Sequence, residues 1–150
     1  MELQEGNIFK FKVEKLIALP DGEYFILLAE YNQKYLLPAK YYSEYNIKIG
    51  QEIICTIDRV NCNGKVFLEP KHPLYSVGDK DVFSILGYEE RIKHKTKEKY
   101  QILNVIGVKT NCAIIIENLN DLQYSQNENV LCEVVKIKKG ELQLKVISKA

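Results

Sequence analysis

An internal repeat is what most constrains this chain. Strand-like and turn-like segments between residues 22 and 69 recur in the same order between residues 98 and 145. Tyr24 falls on Tyr100 and Leu68 on Leu144, each 76 residues apart. Cys55 falls on Cys132 at 77, because the turn between the cysteine and the last strand is one residue shorter in the second copy. A repeat of this length must bury its own apolar face, so the 150 residues are expected to form two domains, residues 1–74 and 75–150. Hydrophobic residues make up 46% and charged residues 27%, a balance that supports two small cores and excludes a disordered chain.

The longest apolar runs, such as residues 24–29, are too short to cross a bilayer, and the N-terminus has no basic stretch leading into an apolar one. A soluble, cytoplasmic protein is the expectation. The cysteines at 55, 62, 112 and 132 form no Cys-x-x-Cys pair and have no histidine pair nearby, so neither a metal site nor a redox motif is indicated. Cys55, Cys112 and Cys132 lie in apolar runs that suit buried free thiols, whereas Cys62 lies in a turn. Net charge is +1, which argues against bulk electrostatic coating of nucleic acid. Its distribution is uneven: residues 1–75 carry net −1, and residues 76–150 carry net +2.

Phe9, Phe11 and Val13 alternate with Lys10, Lys12 and Glu14, the period of a half-buried strand. After a turn at residues 20–22, runs at 24–29 and 35–37 read as a hairpin. Residues 39–45 suit one or two helical turns capping the core. A second hairpin runs from 53–57 across Asn63-Gly64, a pair suited to positive backbone angles, into 66–68. The prolines and glycine within 70–78 mark the domain boundary. In the second copy, strands are expected near 82–88, 100–108, 110–117, 130–137 and 141–147, with a polar insert at 118–129. Strand, hairpin, insert, hairpin is the order of a five-stranded OB-fold, so the predicted class is all-β, two tandem barrels. An SH3-like barrel is the nearest competitor, and it normally lacks an insert of this size.

Gly6, Gly22-Glu-Tyr24, residues 50–53, Asp58 and Gly64-Lys65 stand where the S1 RNA-binding domain has its glycines, strand-two aromatic, terminal aspartate and glycine-basic pair. The first copy therefore resembles that family over most of residues 5–70. The resemblance implies RNA or single-stranded DNA held on strands two and three, with Tyr24 stacking and Asp58 and Lys65 as polar contacts. It departs from the pattern at Asp21 and Leu37, where the family has a second aromatic and a histidine. In the second copy only Tyr100 and Gly140 fit; Val135 stands near the aspartate position, and Glu141 replaces the basic residue.

The residues 91–99 hold five positive charges, Arg91, Lys93, Lys95, Lys97 and Lys99, and fall between strands one and two of the second copy. Lys136, Lys138 and Lys139 fall between its strands four and five. These loops form the two lips of an OB-fold groove, so a cationic funnel with Tyr100 at its floor is expected. The competing reading is a solvated charge run that only maintains solubility. Seven of ten tyrosines lie in the first 75 residues. Tyr31 and Tyr35 could extend Tyr24 into a strip, and Tyr41, Tyr42 and Tyr45 suit capping of the barrel end. Phe67 is expected to be exposed beside Lys65, with Val66 and Leu68 inward. No nucleophile–base pair, phosphate loop or metal cluster stands at a recognised spacing, so the expectation is a non-catalytic RNA-binding protein with no cofactor. Two other readings stand beside it: a protein-interaction module, and an accessory domain of a larger RNA-processing factor.

Overall fold

A computed structural model describes residues 3–116 and 124–150. The chain divides into two compact units, Met1–Pro73 and Leu74–Ala150. The first contains β1 (Ile8–Leu19), β2 (Gly22–Leu28), β3 (Lys34–Pro38), β4 (Glu52–Val60) and β5 (Val66–Pro70). The second contains β6 (Lys80–Ile92), β7 (Lys99–Ile106), β8 (Ala113–Ile115), β9 (Asn129–Lys138) and β10 (Glu141–Lys149).

Pairing follows one scheme in both units. In the first, the order is β3-β2-β1-β4-β5. In the second, β7 and β9 flank β6, β8 joins β7, and β10 joins β9. There β10 also pairs with β8 in parallel, so every strand is paired on both sides and the sheet closes on itself. Alternation along the strands places Phe11, Val13, Leu27, Leu37, Cys55, Ile57 and Leu68 in one core. Phe83, Ile85, Leu103, Val105, Ile115, Cys132, Val134, Leu142 and Leu144 form the other. Residues 39–45 make two 3-10 turns, Ala39–Tyr41 and Ser43–Tyr45, which bury Tyr42 and Tyr45. Their rings meet edge to face at 5.0 Å, Tyr45 meets the His72 ring at 5.1 Å, and the Tyr42 hydroxyl donates to Glu69 at 3.2 Å.

A bulge interrupts the first strand of each unit, at Glu14 and at Leu86. Counted from it, Tyr24 opposite Ile17 corresponds to Ile102 opposite Glu89. Tyr100 lies two residues nearer the hairpin tip, so the sequence alignment of the two tyrosines is out of register by two while keeping them on the same face. Cys55 and Cys132 do take the same place, as do Leu68 and Leu144.

Several element bounds differ from the sequence reading. The lysine-rich segment is partly strand: β6 runs to Ile92 and β7 begins at Lys99, so Arg91 and Lys99 lie on a β-arm and residues 93–98 make its turn. The strand expected at 110–117 shrinks to β8. Residues 107–112 turn instead, with the Gly107 amide bonded to the Thr110 carbonyl and the Cys112 amide to the Thr110 hydroxyl. At Gly107 a Cβ would come within 3.0 Å of the Phe83 ring, so glycine allows the turn to close against the core. Cys112 is accordingly outside the strand and half-buried. In the β4–β5 turn only Gly64, at φ +83°, takes the left-handed conformation; Asn63 does not. Residues 117–123, the last residue of the expected strand and the first half of the polar insert, lie outside the described residues.

Candidate functional site

Tyr24 projects from the outer face of β2, because its neighbours Phe25 and Leu27 pack inward. Its hydroxyl donates to the Asp21 carboxylate at 2.6 Å across the β1–β2 turn. That bond raises the Tyr24 hydroxyl's pKa and lowers that of the Asp21 carboxyl, with Lys40 and Lys65 acting on Asp21 in the same direction. Lys65, in the β4–β5 turn, is therefore close enough to be felt in the β1–β2 turn. Beyond Tyr24 the outer face continues with half-buried Ile26 and exposed Leu36, a cross-strand apolar pair.

A bulge at Asp58 shapes the β4–β5 hairpin. Ile57 pairs with Leu68 and Arg59 with Phe67, so Asp58 is the extra residue and the strand changes parity. Without it, Arg59 would share the inward side of Cys55 and Ile57. With it, Arg59 and Phe67 stand together on the outer face. The Arg59 guanidinium carbon lies 4.4 Å from the Phe67 ring centroid and the Lys65 ammonium 5.1 Å, both within cation–π reach. The backbone amide of Lys65 is held by the side-chain oxygens of Asn61 and Asn63. Among the described residues, neither Arg59 nor Lys65 forms an ion pair. Lys40 lies 5.0 Å above the ring of Tyr41.

The remaining aromatics of the first unit go elsewhere. Tyr31 is 89% exposed at the β2–β3 connection, the opposite end of β2 from the β1–β2 turn. Tyr35 turns inward and meets Phe11 edge to face at 5.9 Å. Tyr24, Tyr31 and Tyr35 thus form no continuous strip.

In the second unit the β6–β7 and β9–β10 hairpins meet through a bidentate pair. The Arg91 guanidinium donates to both carboxylate oxygens of Glu141, at 2.8 and 3.0 Å, and reaches Glu89 at 3.4 Å. Asn104 also donates to Glu89. Hydrogen bonding to Glu141 raises the Arg91 pKa further above its already high value. Lys93 pairs with Glu98 at 3.6 Å while lying 5.9 Å from the Tyr100 ring, and Lys99 pairs with Glu90 at 3.7 Å. Lys95 and Lys97 are exposed at the tip of the β6–β7 hairpin, Lys136 and Lys138 belong to β9, and Lys139 with Gly140 makes its left-handed two-residue turn. On the outer face below, Ile102 and Ile114 are buried.

Among the predicted site residues, the structure brings Lys65 against Phe67 in the first unit, and Lys65 acts through charge on Asp21, the hydrogen-bond partner of Tyr24. The structure gathers Arg91, Lys93 and Tyr100 with the β9–β10 hairpin in the second. Sequence reasoning missed Arg59, whose place depends on the bulge, and Lys40. The available signal was a charge at the inward register of Cys55 and Ile57. Among the described residues no group of three or more His, Cys, Asp or Glu could hold a metal ion, and no helix is long and apolar enough to cross a membrane. A scan against protein-family models finds no match, and a search of curated proteins finds none either.

Proposed function

We propose that this chain binds single-stranded nucleic acid, RNA foremost, without catalysing a reaction, through two OB-fold units of S1 type. The strand pairing supports the fold reading, because first-with-second, second-with-third, first-with-fourth and fourth-with-fifth is the OB-fold scheme. The parallel third-with-fifth seam of the second unit completes it. Four free cysteines suit a reducing compartment such as the cytoplasm.

The observation that carries the functional reading is the end of the first unit, where Phe67 has two cations beside it and no carboxylate among the described residues pairs with either. An aromatic surface next to unneutralised positive charge is what single strands use, bases on rings and phosphates on cations. Tyr24 and the Ile26–Leu36 pair extend that surface along β2 and β3. The second unit contributes less, because Arg91, Lys93 and Lys99 each already have a carboxylate partner.

The test is fluorescence anisotropy of labelled single-stranded RNA and DNA at two salt concentrations. Phe67→Ala is expected to weaken binding about tenfold, the scale of one lost stacking contact. Changing Lys93, Lys95, Lys97 and Lys99 together to glutamine is expected to reduce the salt slope with a smaller loss. Absence of salt-sensitive binding by the natural chain would sink the reading. A protein-interaction role would then rest on β3 and β5, which share no ladder and leave two sheet edges in the first unit.

A further inference from the structure

Arg59 differs from the other cations of the first unit's site in how it is held. Its guanidinium is packed against Phe67 at 4.4 Å by direct cross-strand pairing, on a β-strand rather than a loop. Packing on a ring fixes the plane of the group while leaving the N–H donors at its edge directed away from the ring. Among the described residues no carboxylate takes up those donors. A fixed planar fork matches two acceptors side by side, which a phosphate and the O6/N7 edge of guanine both present. Lys65, 5.1 Å from the same ring on a flexible stem, supplies the point charge a phosphate needs and leaves the fork to a base edge.

We propose that Arg59 is a specificity-determining residue that reads guanine in a bound single strand, with Phe67 as the support that orients it. The inference rests on the nucleic-acid reading above and deepens it. Adenine is disfavoured at this position because its N6 group donates where guanine's O6 accepts. Arg59 is exposed, so its replacement does not disturb the core.

The experiment compares labelled uridine octamers carrying one central guanosine, adenosine or 7-deazaguanosine, alongside the all-uridine octamer. The natural chain is expected to bind the guanosine octamer about tenfold more tightly than the adenosine or 7-deazaguanosine ones, the scale of one bidentate base contact. Arg59→Lys keeps the charge and loses the fork; it is expected to erase that difference, read as the ratio of guanosine to adenosine octamer affinity within the variant. Phe67→Leu is expected to reduce the preference as well. Equal binding of the three substituted octamers by the natural chain overturns the proposal, as does a guanosine preference that survives in Arg59→Lys. If no octamer binds, including all-uridine, the nucleic-acid reading itself fails and this inference falls with it.

Discussion

In both units a bulge in the fourth strand turns a basic residue from the core side to the outer face. In the first, Asp58 is the extra residue and Arg59 pairs with Phe67; in the second, Val135 is extra and Lys136 pairs with Gln143. Two residues further toward the turn, Lys65 corresponds to Glu141, and Glu141 is held by Arg91. The same backbone device therefore presents, in one unit, an aromatic ring with two cations that form no ion pair among the described residues, and in the other a lysine opposite Gln143, next to a Glu141 already engaged by Arg91. Backbone equivalence does not carry functional equivalence, because the side chains at three paired positions decide whether the surface is satisfied from within or has capacity for an outside ligand.

The largest expected effect tests the shared core. Leu68→Ala and Leu144→Ala remove matched side chains, and each is expected to cost about 2–5 kcal/mol in chemical denaturation. The loss should be greater for Leu144, which also takes part in the seam with Ile115; a reversed order would break the structural equivalence. Next comes the matched outer pair. Phe67→Ala should lose about 1–3 kcal/mol of single-strand affinity, whereas Gln143→Ala should change it little. Equal losses would show that both units bind alike. Arg91→Ala should lower stability by about 1 kcal/mol and leave RNA affinity nearly unchanged, because the guanidinium is already engaged; a large affinity loss in anisotropy would refute its assignment to structure.

The smallest effect is a pH dependence. Burial holds the His72 imidazole below its ordinary pKa of 6.5, partly offset by Glu44. The unfolded chain then takes up the proton more readily than the folded one. Stability is thus expected to be full above pH 6.5 and to decline as pH falls from there toward the folded-state value. Urea midpoints measured at several pH values should show this slope in the natural chain and a flatter one in His72→Gln. An unchanged slope would assign the acid sensitivity to other groups.

Much of the architecture was legible because alternation is a direct imprint of a half-buried strand. Phe9, Phe11 and Val13, and Cys55 with Ile57, marked core faces from sequence alone. The β6–β7 arm was not legible: Glu89, Glu90 and Arg91 pair with Ile102, Gln101 and Tyr100, and a charged strand carries no hydrophobic period. The bulges left a single mark each, a basic residue at an inward register position, which alternation alone reads as the end of the strand. That is why Phe67 and Lys65 could be singled out and Arg59 could not. The mutual engagement of Arg91 and Glu141 was invisible for another reason. They are 50 residues apart, and only the convergence of two hairpins makes them neighbours.

The parallel seam of the second unit joins residues 113–115 to residues 142–144, with β9 lying between them in sequence. This pairing needs both the β7–β8 and the β9–β10 ladders in place, so it is expected to form after them during folding. Until it forms, the second unit has the open strand order that the first retains in its finished state.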